Sequence, residues 1–122
     1  IITNFNTSEI IFPRNNLRSI LYNLLNNAIK YRKKDVPLKL EISTEKTDNY
    51  VILSVRDNGL GIAEDHQQTI FEKYARIDNR IEGTGMGLFI LKRMLISNGG
   101  KIEVESELGK GSDFKVYFKS NF

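Results

Sequence analysis

Val51-Ile52-Leu53-Ser54-Val55-Arg56-Asp57-Asn58-Gly59-Leu60-Gly61-Ile62 joins an alternating run to a glycine-rich turn. Val51, Leu53 and Val55 alternate with Ile52, Ser54 and Arg56, as in a strand with one packed face and one wet face. Asp57 falls on the apolar phase, so its carboxylate is expected to point toward the core. A buried carboxylate without a partner costs several kcal/mol. Asn58-Gly59 by itself signals a tight hairpin, but no alternating run follows Gly61. The glycines let the backbone approach a flat ring closely. An adenine amino group is a donor that would satisfy Asp57.

Upstream, Leu38, Leu40, Ile42 and Thr44 alternate with Lys39, Glu41, Ser43 and Glu45, and Asp48-Asn49 suits the turn between the two strands. Before them the spacing predicts a helix from about Asn15 to Lys33. Leu17, Ile20, Leu21, Leu24, Leu25, Ala28 and Ile29 form its apolar stripe. Asn15 or Asn16 can cap this helix, and Asp35-Val36-Pro37 ends it. Downstream, regularity weakens from Gly59 to Gly87, with short helical hints around Glu64 to Tyr74. A second helix is expected from about Met86 to Ser97, stopped by Asn98-Gly99-Gly100. Two last strands hold Ile102 and Val104, then Phe114, Val116 and Phe118, with Gly109 and Gly111 in their turn. The sum is an α+β fold, a two-layer α/β sandwich. Its mixed, mostly antiparallel sheet carries helices on one face.

The chain has 122 residues, the size of one domain, and 40% of them are hydrophobic, enough for a core. No run approaches the roughly 18 apolar residues that span a membrane, so no membrane contact is expected. There are no cysteines, which removes disulfides, thiolate metal sites and cysteine nucleophiles, and agrees with a cytoplasmic location. The single histidine, His66, cannot build a multi-histidine zinc site. A net charge of +3 is too mild to argue for nucleic acid.

Other residues share the chemistry suggested at Asp57. Asn23, Asn27 and Lys30 follow one another by four and three positions, and at about 100° per residue they share one flank of the first helix. Tyr31 sits one step around. Asparagine is disfavoured inside helices, so these positions ask for a reason, although asparagine is also common in this chain. An amide oxygen suits a hard cation such as Mg²⁺, and Lys30 brings positive charge for phosphate. Gly83-Thr84-Gly85-Met86-Gly87-Leu88 leads straight into the second helix, whose free amides suit phosphate. It matches neither the dinucleotide fingerprint nor a P-loop. Between the glycine motifs, Phe71, Tyr74, Arg76 and Arg80 read either as a lid or as an ordinary loop with an aromatic cluster.

The combination and order resemble a known family. Asn23-Leu24-Leu25-Asn26-Asn27-Ala28-Ile29-Lys30-Tyr31 is similar to the N box of sensor histidine kinases. Asp57-Asn58-Gly59-Leu60-Gly61-Ile62 resembles the G1 box, Phe71-Glu72-Lys73-Tyr74-Ala75-Arg76 the F box, and Gly83-Thr84-Gly85-Met86-Gly87-Leu88 the G2 box. The resemblance covers nearly the whole chain and implies the Bergerat ATP-binding fold of the GHKL group. It implies that Asn27 holds Mg²⁺ with Asn23 close by, and that Asp57 binds the adenine amino group. Tyr31 would stack near the base, Lys30 would reach phosphate, and Gly59, Gly61 and Ile62 would border the adenine. Gly83, Thr84, Gly85, Met86, Gly87 and Leu88 would form the phosphate-side turn, with Tyr74, Arg76 and Arg80 acting from the lid.

Relatives that hydrolyse ATP carry a glutamate four residues before the magnesium asparagine. Here that position is Asn23, and an amide cannot take a proton from water. A histidine kinase does without this base, because a neutral imidazole is itself the nucleophile. The expectation is therefore a single ATP-binding catalytic domain over residues 1–122, using ATP and Mg²⁺ and donating phosphate to a histidine elsewhere. That histidine would sit in a separate helical dimerisation domain of the parent protein, with a response regulator further on. His66 lacks the acidic neighbour pattern of such an acceptor. The family usually carries a strand and helix ahead of the segment matching Ile1–Phe12, so N-terminal truncation is expected. The alternatives are a GHKL-type ATPase and a degenerate module that binds nucleotide or a partner without chemistry.

Overall fold

The computed structural model describes residues 2–5, 14–67, 69–72 and 87–119. In chain order its elements are β1 (Ile2–Phe5), α1 (Arg14–Lys30), β2 (Leu40–Lys46), β3 (Tyr50–Asp57), a 3₁₀ turn (Glu64–His66), α2 (Gly87–Ser97), β4 (Lys101–Glu107) and β5 (Gly111–Lys119). The strands form one sheet in the order β1-β2-β3-β5-β4. β1 runs parallel to β2, and every other pair is antiparallel. Both helices pack on one face, so the expected two-layer sandwich with a mixed, mostly antiparallel sheet is what forms. No helix among the described residues is long and apolar enough to cross a membrane.

The core is the meeting of two periodicities. From α1, Ile20, Leu24 and Ala28 are buried, spaced by fours so that they stack on one face. From α2, Leu91 and Leu95 are fully enclosed. They pack against the inward phase of the sheet: Val51, Leu53 and Val55 of β3, Phe114, Val116 and Phe118 of β5, and Ile102 of β4. Ile29, expected in the stripe of α1, is instead 47% exposed. It lies nine residues after Ile20, about 180° around the helix.

Three local expectations shift for identifiable reasons. α1 stops at Lys30 and not at Lys33: the Arg32 amide bonds the Ile29 carbonyl only three residues back (3.4 Å), and the Tyr31 carbonyl accepts from the distant Leu60 amide (2.9 Å). β2 begins at Leu40 and not at Leu38. There the Asn58 side chain takes over, accepting from the Lys39 amide (2.8 Å) and donating to the Pro37 carbonyl (3.1 Å). The strand β1 has no counterpart in the expectations. It is four residues at the sheet edge, paired on one side only, from Ile2↔Glu41 to Phe5↔Thr44. Of the helical hints from Glu64 on, the 3₁₀ turn and a bond from the Ile70 amide to the His66 carbonyl (3.1 Å) are present.

Candidate functional site

The ladder registers align Leu40, Asp57, Ser112 and Ser106 across four neighbouring strands. This row ends the helix-facing side of the sheet. Below it every β3 and β5 position on that face is apolar, and at the row itself Asp57, Ser112 and Ser106 turn polar. The core face therefore opens into a polar rim where α1 runs out.

Asp57 is the centre of that rim. Its Oδ1 accepts from the Gly59 amide (2.9 Å) and the Ser112 amide (3.3 Å). Its Oδ2 accepts from none of the described residues. Burial pushes the Asp57 carboxyl above the ordinary carboxylate value, and the two amides only partly offset this. The charge of Asp113, on the opposite face and bonded to Arg56 (3.2 Å), raises it further. A carboxylate with one oxygen fixed and one free is an oriented acceptor.

Asp57 lines a narrow pocket with Asn27, Tyr31, Gly61, Ile62, Ser112 and Phe114. The shape depends on missing side-chain bulk. Gly61 has φ +74°, and a Cβ there would lie 2.1 Å from the Glu107 carbonyl oxygen. A Cβ on Gly111 (φ +122°) would lie 2.0 Å from the Asp57 carbonyl oxygen. Backbone cannot yield to such contacts, so only glycine lets the β4–β5 turn close against the Asp57 loop.

Of the residues singled out from sequence, the structure brings Asn27, Tyr31, Asp57, Gly61 and Ile62 into this pocket, with Gly59 bonded to Asp57. Asn23 lies one helical turn before Asn27. Its Oδ1 sits 3.2 Å from where a Cβ of Gly87 would be, so it borders the start of α2. Leu88 packs partly against the core, and Lys30 is exposed. Tyr74, Arg76, Arg80, Gly83, Thr84, Gly85 and Met86 lie outside the described residues.

Sequence reading missed Ser106, Gly111, Ser112 and Phe114. The two serines carry the same signature that exposed Asp57, a polar residue on the apolar phase of a strand. Gly111 was legible only as a turn residue. Gln67 was also missed. Its Nε2 donates to the Ile62 carbonyl (2.9 Å) and the Ser106 carbonyl (2.8 Å), tying the loop after Gly61 to β4. Nothing in the one-dimensional pattern marks it.

The comparisons with known proteins fit this geometry. Sensor protein SrrB of Staphylococcus aureus is 36% identical over 109 residues, 86% of this chain, and the chain spans only 18% of that protein. Mycobacterial sensor histidine kinase MprB shares the fold, with a TM-score of 0.84 at 21% identity over 97% of this chain and 81% of its own. The catalytic domain of histidine kinase ThkA gives 0.82 at 26% identity, covering 97% of this chain and 78% of its own. Full-length ShkA, solved in complex with AMPPNP, gives 0.81 at 29% identity, covering 98% and 26%. A family model described as histidine kinase-, DNA gyrase B-, and HSP90-like ATPase matches residues 13–121. With the family model spanning most of the chain and a sensor protein this similar over 86% of it, the chain belongs to the histidine kinase-, DNA gyrase B- and HSP90-like ATPase family.

Proposed function

We propose that this chain binds Mg-ATP and donates the γ-phosphate to a histidine on a separate helical phosphoacceptor domain, in two-component signalling. The observation that carries the reading is Asp57, half-buried in a small pocket with Oδ1 held by two backbone amides and Oδ2 left to a ligand donor. An adenine amino group supplies such a donor, whereas the 6-oxo group of guanine brings a second acceptor. Tyr31 offers a ring beside the base. Gly59, Gly61 and Ile62 form the wall next to it.

Toward the phosphates, the start of α2 at Gly87 faces Asn23 of α1. The free amides of that helix end favour negative charge. In this reading Lys30, Leu88 and the residues Tyr74, Arg76, Arg80, Gly83, Thr84, Gly85 and Met86 complete the phosphate side. Among the described residues no three acidic or histidine groups cluster to hold a metal. The donor set fits Mg²⁺ brought in by the nucleotide, with the Asn27 amide oxygen as the protein's ligand, because Mg²⁺ keeps waters and phosphate oxygens. When bound, that ion would neutralise charge on the β- and γ-phosphates. Asn23 orients but cannot deprotonate water, which favours transfer to an imidazole over hydrolysis.

SrrB is a sensor protein, ThkA a histidine kinase, and ShkA was solved in complex with AMPPNP. These relatives support the same reading. The parent protein would supply the acceptor domain, and a response regulator would take the phosphate onward. The test is thermal melting with Mg-ATP and Mg-GTP. Mg-ATP is expected to raise the melting temperature and Mg-GTP not to. No shift with either nucleotide overturns the reading, and steady hydrolysis of ATP by the chain alone would favour an ATPase.

A further inference from the structure

The Ser106 hydroxyl has three polar neighbours: the Ile62 amide (2.7 Å), the Gly111 carbonyl (2.8 Å) and the Ser112 hydroxyl (2.7 Å). The amide can only donate and the carbonyl can only accept. A serine hydroxyl carries one proton. One arrangement satisfies all three contacts. Ser106 accepts from Ile62, donates to Gly111, and accepts the proton of Ser112. Were Ser106 to donate to Ser112 instead, its lone pairs would face the Gly111 oxygen at 2.8 Å, two acceptors in contact.

The Ser112 proton is therefore committed to Ser106, and only its lone pairs remain for the pocket that Ser112 lines beside Asp57. Gln67 holds this arrangement from outside. Both partners of its Nε2 are carbonyl oxygens, so the nitrogen end of the amide is assigned by chemistry. Those bonds fix β4 at Ser106 to the loop carrying the Ile62 amide.

We infer that Ser106, without touching ligand, sets the base preference of the pocket: by fixing the direction of the Ser112 hydroxyl it leaves Ser112 an acceptor beside the acceptor Asp57, a pair suited to a 6-amino purine and hostile to a 6-oxo group. The inference rests on the nucleotide reading above. In Ser106→Ala the Ser112 hydroxyl loses its acceptor and is free to turn and donate to a 6-oxo group.

The probes are ADP and IDP, which differ in the 6-substituent and the proton on the adjoining N1, titrated calorimetrically with Mg²⁺ into the whole chain. The wild-type chain is expected to prefer ADP. In Ser106→Ala the ratio of the two affinities narrows by about tenfold, the worth of one hydrogen bond changing sign. A merely structural role would weaken both nucleotides alike and leave the ratio unchanged. Ser106→Thr keeps the hydroxyl and is expected to keep the wild-type ratio. If Ser106→Ala proves too unstable to titrate, Ser106→Cys, a poor acceptor of similar size, must narrow the ratio as well. An unchanged ratio in a folded Ser106→Ala or Ser106→Cys chain overturns the inference alone. Failure of the wild-type chain to bind either nucleotide overturns the nucleotide reading, and this inference with it.

Discussion

Asp57→Asn separates the cost of the Asp57 carboxylate to the fold from its use in binding. The structure dictates how the asparagine would sit. The position now held by Oδ1 accepts from the Gly59 and Ser112 amides at 2.9 and 3.3 Å, so the amide oxygen must take it. The NH₂ group then replaces Oδ2 and faces the adenine amino group, donor against donor. A hydrogen bond to a charged acceptor contributes about 1.5–3 kcal/mol, so its loss plus an unpaired donor should weaken binding by about 100-fold. At ATP concentrations near 100 times the wild-type Kd, binding adds about 2.7 kcal/mol of stability. For a domain of this size that is a melting shift of about 10 °C. A 100-fold weaker variant keeps about 0.4 kcal/mol, a shift of one or two degrees.

Without nucleotide the sign reverses. Burial raises the Asp57 carboxyl in the folded state, so the native chain binds that proton more tightly than the unfolded chain. Ionised Asp57 therefore costs stability at neutral pH, and the cost fades as pH falls through the raised value toward and below the ordinary 3.8. Nucleotide-free Asp57→Asn should melt no lower than wild type at pH 7, and its advantage should shrink on acidification. ATP affinity of the wild-type chain should also weaken across that acid window, because the ionised form is the better acceptor. Differential scanning fluorimetry with and without Mg-ATP, from pH 4 to 8, reads all three. If Asp57→Asn kept half or more of the wild-type shift, the carboxylate would not be reading the base.

Two other substitutions test separate parts of the site. Asn27→Ala should erase the difference between ATP affinities measured with Mg²⁺ and with a chelator, while binding measured in the chelator changes little. An undiminished magnesium dependence in that variant would remove Asn27 from the metal. Gly111→Ala places a methyl 2.0 Å from the Asp57 carbonyl oxygen at a φ of +122°, and should lower urea-unfolding stability by about 2–4 kcal/mol. A loss under about 0.5 kcal/mol, the range of an ordinary surface change, would mean the β4–β5 turn is free to move away from Asp57.

Much of this architecture was legible along the chain. Period-two alternation placed β2, β3 and β5, and period-four apolar spacing placed the buried stripe of α1. Asp57 stood out because a carboxylate on an apolar phase violates the pattern around it. Asn27 stood out because asparagine inside a helix does. Ser106 and Ser112 break the same rule more quietly, since a hydroxyl at the end of a strand reads as the onset of a turn.

The order of amino acids carries the local features: which residues prefer helix or strand, which phase is apolar, and where a polar residue interrupts it. Those preferences act within a few residues, so they are written in neighbouring letters. Tertiary structure alone decided the rest. β1 pairs with the outer edge of β2, and just past α1 the Tyr31 carbonyl bonds the Leu60 amide. The direction of the Ser112 hydroxyl follows from Ser106 on the neighbouring strand, whose one proton goes to the Gly111 carbonyl. Hydrogen bonds join groups that folding brings together, and their partners cannot be read from either residue alone.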